Sequence, residues 1–379
     1  MDFDLSEEQS LLKDSVEKLI AQHYDFEQRK KYLQAPEGFA PDLWARYAEM
    51  GLLGLPFAEA DGGFGGGAVE TMIVMEAFGR GLVLEPYFAT VVLAGGLLRH
   101  AASPALRAEL VPAIAGGALS MAFAHAERQA RYDLADIATS ARESAGAWRI
   151  TGEKSLVLHG ERADRLIVSA RVSGTRRARD GIGLFLVDAG AAGVSRRGYA
   201  LQDATPAAEI SFSDVAAIPL GVPGNAFPVI ARVVDEAIAA LCAEAVGVMA
   251  AMHEATLDYL RTRKQFGRAI GQFQVLQHRA VDMLVAIEQA RSMAMFATMM
   301  AGEEDAAERR RAMAAAKIQI GRSGHKVGQE AIQLHGGIGM TMEYKVGHYF
   351  KRMTMIELLF GDADHHLTEL AAIGGLIVG

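Results

Sequence analysis

Residues 263–274 bring together side chains that could hold a large planar molecule carrying phosphate. They read Arg-Lys-Gln-Phe-Gly-Arg-Ala-Ile-Gly-Gln-Phe-Gln. Arg263 offers a planar fork of hydrogen-bond donors, Gln265 an amide, and Phe266 an aromatic face. A helical pattern ends at Gly267, whose missing Cβ lets a ligand or another backbone approach closely. The alternative is that the cations only balance the dipole of the helix and that Phe266 packs in a core.

Composition places the chain among ordinary globular proteins. Its 379 residues are enough for two or three domains, and 51% of them are hydrophobic. The net charge of −8 disfavours binding to a nucleic-acid backbone, because that activity needs a concentrated basic face. The single cysteine, Cys242, excludes an intrachain disulfide and fits a reducing compartment. We expect it to be a small buried hydrophobe.

The sequence predicts a cytoplasmic protein. Its acidic amino terminus lacks the basic and apolar regions of a signal peptide. The apolar run 237–252 is interrupted by Glu244, so no segment reaches the roughly 20 apolar residues that a membrane span requires.

Helical periods dominate the first part of the chain, residues 1–118. Examples are the segments 41–49, 69–79 and 104–115. The glycine-rich run 61–67 resembles a phosphate loop only superficially, because no strand pattern precedes it and no Lys-Ser or Lys-Thr pair follows it. We predict that it connects two helices.

The spacing of apolar residues then changes to a period of two, and later it returns to the period of a helix. Short β-rich segments in residues 119–222 predict a small antiparallel β domain; they are 149–151, 155–158, 165–170, 182–187 and 209–212. Residues 223–379 hold four long helical patterns with brief connections, at 228–264, 272–301, 306–334 and 343–359. These predict an antiparallel four-helix bundle and an α+β chain of three domains.

This organisation, together with two motifs, resembles the acyl-CoA dehydrogenase family over essentially the whole chain. The first motif is Arg263-x-Gln-Phe-Gly at the first turn of the bundle. The second is Gln333-Leu-His-Gly-Gly-Ile-Gly-Met-Thr341, where a helix ends at glycines whose bare backbone can lie against a pyrophosphate. The two motifs follow each other in the order that the family has.

The resemblance implies an FAD-dependent oxidoreductase that introduces a double bond between the α and β carbons of an acyl-CoA thioester. It also implies that both turns reach across a dimer interface to the FAD of a neighbouring subunit, and that electron-transfer flavoprotein accepts the electrons. Arg263 would pair with the pyrophosphate, Phe266 would pack on the cofactor, and Gln274 would supply a polar contact. The complete implied cofactor set is Arg263, Gln265, Phe266, Gln274, Gln333, Leu334, His335, Gly336 and Gly337.

The middle domain departs from the family's pattern. Where the family usually has Thr-Glu-Pro and then Gly-Ser-Asp, residues 125–133 match only at Glu127. Where the next strand usually presents Trp-Ile-Thr to the flavin, this chain has Leu156, Val157 and Leu158. Leucine offers neither a stacking ring nor a hydroxyl. We therefore expect the half-site for the chain's own flavin to be incomplete and the half-site lent to a neighbour to be intact.

The catalytic base departs from the family's pattern as well. Members of the family remove the α proton with a carboxylate, usually a late Glu, and this chain has Gly361 at that position. Some members carry a Glu early in the first bundle helix, where this chain has Ala237. The fallback candidates are Asp235, Asp362 and Glu244. Glu244 lies ~10 Å along the axis from Ala237, and a displaced base, a substrate contact and a satisfied core acid all remain open for it.

We expect no metal at 362–366, Asp-Ala-Asp-His-His, because the spacing matches no familiar ligand pattern and Asp364 suits a helix N-cap.

The departures in the middle domain and at the catalytic base are most like the pimeloyl-CoA dehydrogenase small subunit type, which implies a paralogous large subunit in a heterotetramer. Related pairs act on steroid side-chain CoA esters. Two alternatives remain: a self-sufficient homotetrameric dehydrogenase or oxidase with a relocated base, and a non-enzymatic assembly protein of the same fold.

Overall fold

The computed structural model describes residues 5–373, so Met1 to Asp4 of the acidic amino terminus lie outside the described residues. The chain divides into two compact units. The first comprises Met1–Lys31, Ala68–Val83 and Ile238–Gly379, and the second comprises Tyr32–Gly67 and Leu84–Ala237.

The helices and strands are as follows. The α-helices are α1 Glu7–His23, α2 Phe26–Leu33, α3 Pro41–Glu49, α4 Ala68–Gly81, α5 Gly95–Ala101, α6 Pro104–Ala115, α7 Phe227–Thr262, α8 Gln274–Met300, α9 Ala306–His335, α10 Lys345–Leu358 and α11 Ala363–Ile373. The strands are β1 Met121–Ala124, β2 Ser140–Ser144, β3 Ala147–Leu158, β4 Arg165–Arg171, β5 Ile182–Asp188, β6 Val194–Ala200, β7 Pro206–Leu220, β8 Lys264–Gln265 and β9 Arg268–Ala269.

The helices of the first unit pack through apolar faces and small residues. Helix α9 packs against α8, α10 and α11, and α1 packs against α4. Helices α4 and α7 approach so closely that a Cβ at Gly79 or Gly247 would collide with a backbone carbonyl of the other helix. Helix α1 begins with a reciprocal capping box, in which Ser6 Oγ accepts the Gln9 amide and Gln9 Oε1 accepts the Ser6 amide.

The second unit holds a seven-stranded sheet in the order β1-β4-β2-β3-β7-β5, with β6 on β7. Strand β5 also pairs with β4, so the sheet closes on itself. Most neighbours are antiparallel as predicted, but β4 is parallel to both β1 and β2. Buried Ile150, Leu166, Phe185 and Ile210 belong to its core.

The expected fold class is confirmed: a helical amino-terminal domain, a central β domain and a helical carboxy-terminal domain. The predicted segments 149–151 and 155–158 are one strand, β3, which is interrupted by irregularities in its pairing with β7. Strands β2 and β6 were not predicted, because their sequences are largely exposed and polar. Cys242 is fully buried, as expected.

The glycine-rich run 61–67 connects a 3-10 turn to α4, as predicted. The Phe64 ring packs over Gly51 and Gly54, where a Cβ would lie only 2.9 and 3.1 Å from its atoms. No helix within residues 5–373 is long and apolar enough to cross a membrane.

Candidate functional site

The first predicted turn is a β-hairpin rather than a simple helix end. Helix α7 stops at Thr262, and β8 and β9 then pair with Phe266 and Gly267 at the tip. Both tip residues have positive φ, 53° and 77°, as a two-residue hairpin turn of type I′ requires. Phe266 is 90% exposed, and Arg268 stacks 4.2 Å above the Phe273 ring. The hairpin therefore presents an aromatic ring to solvent at considerable hydrophobic cost.

The polar residues of this turn are exposed. Arg263, Gln265 and Gln274 all face solvent, and Gln274 is the first residue of α8. The backbone of Arg263 is fixed because its carbonyl accepts a hydrogen bond from the Ile270 amide at 2.8 Å. Within residues 5–373, the Arg263 guanidinium has no ion-pair partner. This side chain is available to an external anion.

The second predicted turn ends α9 with bare backbone. Gly336 has φ 64° and ψ −143°, a conformation essentially restricted to glycine. A Cβ placed on Gly336 or Gly337 would meet no atom within 4 Å, so open space surrounds both residues. Gln333 is exposed, whereas Leu334 and His335 are 5% and 3% exposed. The turn therefore consists of a buried pair, Leu334 and His335, followed by an open segment at Gly336 and Gly337.

An aromatic cluster joins the two turns. The rings of Tyr259 and His335 stack with centroids 4.6 Å apart and planes 28° apart. Tyr344 contacts the other two rings, with its centroid 5.0 Å from that of His335. His335 Nδ1 lies 2.7 Å from the Ala331 carbonyl, and burial lowers the pKa of this imidazole. Leu334 and His335 are therefore packing residues that fix the turn.

In the second unit, a buried ion pair orders the loop after β1. Lys154 Nζ donates to Glu127 Oε1 at 2.8 Å, to Ser169 Oγ at 3.1 Å and to the His125 carbonyl at 3.0 Å. Glu127 also accepts the amides of Ala138 and Thr139. Burial opposes the charge of Glu127, but Lys154 and these amides outweigh it and lower its pKa to about 2. Glu127 is a structural carboxylate.

The strand that follows offers only apolar side chains at the positions singled out in the sequence. Leu156 has φ 52° and is 38% exposed at an irregularity between β3 and β7, and Leu158 is 7% exposed. Neither side chain can stack on or hydrogen-bond to a planar ring.

Two of the three fallback carboxylates have visible structural roles. Glu244 is buried and receives two hydrogen bonds from Arg352, with distances of 2.6 and 2.8 Å. Of the alternatives for Glu244, this contact favours the satisfied core acid. Asp362 caps α11 by accepting the His365 amide at 2.8 Å. Asp235 is 2% exposed in the second unit.

Gly361 lies in a turn that does not tolerate a side chain. Its φ is 113°, and a Cβ would come within 2.5 Å of His365 Cδ2 and 2.6 Å of His366 Nε2. Lys317 holds this turn by donating to the carbonyls of Ile356, Glu357 and Gly361 at 2.7, 2.9 and 3.0 Å. Burial lowers the pKa of Lys317 to about 8.

Comparison with known proteins identifies the family of this chain. Three family models match: Acyl-CoA dehydrogenase, N-terminal domain, over residues 6–118; the middle domain over 122–215; and the C-terminal domain over 227–374. The chain belongs to the acyl-CoA dehydrogenase family. Members of this family are flavoproteins that bind FAD and oxidise CH-CH bonds.

Individual acyl-CoA dehydrogenase relatives are similar along nearly their full length. "Probable acyl-CoA dehydrogenase YngJ" of Bacillus subtilis (strain 168) is 27% identical, covering 96% of this chain and 97% of its own. The solved Tcur3481-Tcur3483 steroid ACAD variant is 29% identical with a TM-score of 0.87, covering 97% of both chains. The FAD complex of PigA is 26% identical with a TM-score of 0.89, covering 99% of this chain and 100% of the other.

In this member of the acyl-CoA dehydrogenase family, the residues of the first unit suit FAD better than those of the second unit. An exposed aromatic ring, an unpaired guanidinium and two bare glycines are what a cofactor with a planar ring and a pyrophosphate needs. Gln265, Gln274 and Gln333 add amides near them in sequence. In the second unit, Leu156 and Leu158 supply none of these features.

Two residues close in sequence to the turns described above, Tyr259 and Glu357, were not singled out in the sequence. Tyr259 precedes Arg263 by about one helical turn, a spacing that could have signalled a shared face. Glu357 lies at the end of α10, just before the turn that contains Gly361, and burial raises its pKa. Within residues 5–373, Glu357 has no ion-pair partner.

A histidine cluster near Gly361 resembles a cation site. Ligand atoms of His365, His366 and Glu369 lie within 4.8 Å of one another. However, both oxygens of Glu369 accept hydrogen bonds from Arg310, at 2.8 and 2.7 Å. A metal ion would have to displace this guanidinium, so the cluster is better described as an ion-pair network.

Proposed function

We propose that this chain is the small subunit of a two-chain, FAD-dependent acyl-CoA dehydrogenase of the pimeloyl-CoA dehydrogenase small subunit type. The enzyme introduces an α,β double bond into an acyl-CoA thioester, and a paralogous large subunit provides the catalytic base. This chain supplies half of the FAD site. We place the complex in the cytoplasm, with electron-transfer flavoprotein as its electron acceptor.

The observation that carries the proposal is the turn at Gly361. This is the position at which the family usually has its carboxylate, and here His365 and His366 occupy the space that a Cβ would need. Glu244, the fallback candidate on the same face of α7 as Ala237, is already bound by Arg352. A chain with these contacts depends on another chain for proton abstraction.

The contribution of this chain is to hold the cofactor. Arg263 and the bare backbone of Gly336 and Gly337 would hold its pyrophosphate, and Phe266 would pack on the cofactor. Gln265, Gln274 and Gln333 add hydrogen bonds, while Leu334 and His335 hold the second turn in place. When bound, FAD supplies the acceptor for the hydride that leaves the β carbon.

Exposed apolar side chains support assembly with another chain. Helix α8 exposes Val281, Leu284 and Val285, which are spaced to share one face. Beyond α9, Met340 and Met342 are 81% and 60% exposed. Side chains of this kind normally become buried in an interface.

The proposed substrate is a CoA thioester whose acyl chain belongs to one of two classes. We favour pimeloyl-CoA or another dicarboxylyl- or steroid-CoA ester. Support for a steroid ester comes from the 29% identity to the Tcur3481-Tcur3483 steroid ACAD variant, whose two names also fit a two-chain enzyme.

Purification of the chain alone and together with the acyl-CoA dehydrogenase encoded beside it tests the proposal. We expect the chain alone to be colourless and inactive, and the mixture to be yellow and to oxidise acyl-CoA. A yellow, fully active protein without a partner contradicts the two-chain proposal. An inactive mixture that contains no FAD would instead favour the assembly protein.

A self-sufficient enzyme is the second candidate, and Glu357 is the observation that favours it. Burial raises the pKa of its carboxylate, and the residue lies at the end of α10, just before the turn that contains Gly361. A raised pKa suits a general base that works near neutral pH. The isolated chain would then bleach its flavin on addition of acyl-CoA, and Glu357→Gln would abolish the bleaching. Unchanged bleaching in Glu357→Gln removes this residue as the base.

A further inference from the structure

The loop between β4 and β5 carries arginines on a fixed frame. Residues 175–180 read Thr-Arg-Arg-Ala-Arg-Asp. Beneath them, Arg171 is 9% exposed and donates hydrogen bonds of 2.6–2.8 Å to the carbonyls of Ala135, Arg176, Ala178 and Asp180. Four bonds from one planar group hold the loop in a single conformation and fasten it to the neighbouring segment.

Asp136 fixes the spacing of the first two arginines. Its side chain is 1% exposed, and the Nε atoms of Arg176 and Arg177 lie 2.7 and 2.8 Å from its carboxylate. One carboxylate balances only one of two guanidinium charges. The Arg177 side chain is 68% exposed, and among the described residues its two terminal nitrogens donate no hydrogen bond. These nitrogens are available to a ligand.

The surroundings leave the loop with an excess of positive charge. Arg179 lies over the Phe227 ring, 5.1 Å from its centroid, and has no ion-pair partner within residues 5–373. Asp133 lies near Arg177, but its carboxylate already accepts the Ala135 amide at 2.9 Å. The four arginines of this loop and strand thus outnumber Asp133, Asp136 and Asp180, on a chain whose net charge is −8.

We propose that Arg176, Arg177 and Arg179 form a binding site for a phosphate monoester. Guanidinium groups held at a fixed spacing suit a dianion with three terminal oxygens, because each group can donate two parallel hydrogen bonds. The order imposed by Arg171 and Asp136 reduces the entropy lost on binding. A pyrophosphate diester is a poorer match, since it has less charge on each phosphorus.

Identification of the ligand rests on the proposed function. An acyl-CoA thioester carries one phosphate monoester, the 3′-phosphate of its ribose. The arginine loop therefore distinguishes coenzyme A from its 3′-dephospho form. Free adenosine 3′,5′-bisphosphate presents the same 3′-phosphate without the thioester, together with a second monoester at the 5′ position.

Calorimetric titration of the full chain tests this site without turnover, FAD or a partner. The probes are coenzyme A, 3′-dephospho-coenzyme A, adenosine 3′,5′-bisphosphate and inorganic phosphate. We expect coenzyme A to bind about tenfold more tightly than the dephospho form, as one lost pair of charged hydrogen bonds implies. Arg177→Gln and Arg176→Gln should bring that ratio close to one. Arg142→Gln, which removes an exposed arginine of β2, should leave the ratio unchanged.

Equal affinity of the unaltered chain for coenzyme A and its dephospho form overturns the proposal, as does the absence of measurable binding. Competition by inorganic phosphate at the same concentration as coenzyme A also overturns it, because the site then takes the free anion. The proposed function can fail separately. Arginine-dependent binding of adenosine 3′,5′-bisphosphate, with no acyl-CoA oxidation by the two-chain mixture, would retain the phosphate site and reject the enzyme subunit.

Discussion

Tyr259 and His335 are 76 positions apart in the sequence and stack with ring centroids 4.6 Å apart. Tyr259 belongs to the last turns of α7, just before the hairpin that carries Arg263 and Phe266. His335 ends α9, just before Gly336. This pair therefore sets the position of one glycine turn relative to the other.

Replacing Tyr259 by leucine should increase the rate at which the two-chain complex releases FAD. It should lower the thermal stability of the complex only modestly. The aromatic pair contributes about 0.5–1.5 kcal/mol beyond the area that it buries, so a modest loss of thermal stability is expected. The larger effect should be faster release of FAD, measured as recovery of free flavin fluorescence after dilution.

Tyr259→Phe is the matched control, because phenylalanine keeps the ring. It should release FAD at the unaltered rate. Equal release rates for the leucine and phenylalanine variants would show that stacking on His335 does not position the turns.

Sequence patterns located most of the helices, some from an apolar stripe and others from signals at their ends, such as Ser103 and Pro104 at the start of α6. The predicted segments 41–49 and 104–115 coincide with α3 and α6, and the segment 306–334 falls one residue short of α9. The hairpin after α7 was missed, because its strands are two residues long and carry no period.

The site was predictable only where neighbouring residues in the sequence form it. The turns at Arg263 and Gly336 are local, and the bare backbone of the glycines follows from residue type. The exposure of Phe266 does not, because a phenylalanine is more often buried. The partners of Glu244 and Glu127 are not local: Arg352 is 108 positions from the first, and Lys154 is 27 positions from the second. Sequence alone therefore could not decide whether these acids were free.

Glu244→Gln should destabilise the protein strongly. It leaves Arg352 partly buried without its carboxylate, and breaking a buried pair in this way costs about 3–5 kcal/mol. Urea unfolding of the variant should show a lower midpoint. The double variant Glu244→Gln/Arg352→Met removes both charges and should recover part of the loss.

Glu254→Gln, at an exposed acid on the same helix, is the comparison for a weak ion pair and should cost ~1 kcal/mol or less. If Glu244→Gln instead abolished acyl-CoA oxidation and left the midpoint unchanged, Glu244 would act as a displaced base.

The ion pair of Glu127 with Lys154 should make stability sensitive to acid. The folded pKa of Glu127 is lowered to about 2 from an ordinary 4.5, so its contribution is complete above pH 4.5 and is lost as the pH falls towards 2. The contribution is on the order of 3 kcal/mol.

The gap in unfolding free energy between the unaltered chain and Glu127→Gln should therefore be largest near neutral pH. It should narrow below pH 4.5, as measured by urea titration at a series of pH values. Glu143→Gln, at an exposed position of β2, should show no such narrowing. A gap that is independent of pH would contradict the assigned pKa.

Gly361→Ala should destabilise the turn between α10 and α11. An L-residue is strained at φ 113°, and its Cβ would lie 2.5 Å from His365, so a loss of about 2 kcal/mol or more is expected in chemical unfolding. Gly302→Ala, at a glycine with open space around it, is the control and should be close to neutral.

Gly361→Glu should share this destabilisation and leave the isolated chain inactive, although it restores the residue that the family usually has at this position. The reason is that the histidines and the Lys317 bonds to the Ile356, Glu357 and Gly361 carbonyls fix a turn with no room for the new side chain. Flavin bleaching by acyl-CoA in the isolated Gly361→Glu protein would show that the missing carboxylate alone separates this chain from a self-sufficient enzyme. We expect no flavin bleaching in the isolated Gly361→Glu protein and retained acyl-CoA oxidation in the two-chain mixture. This is the outcome expected of a subunit whose base belongs to its partner.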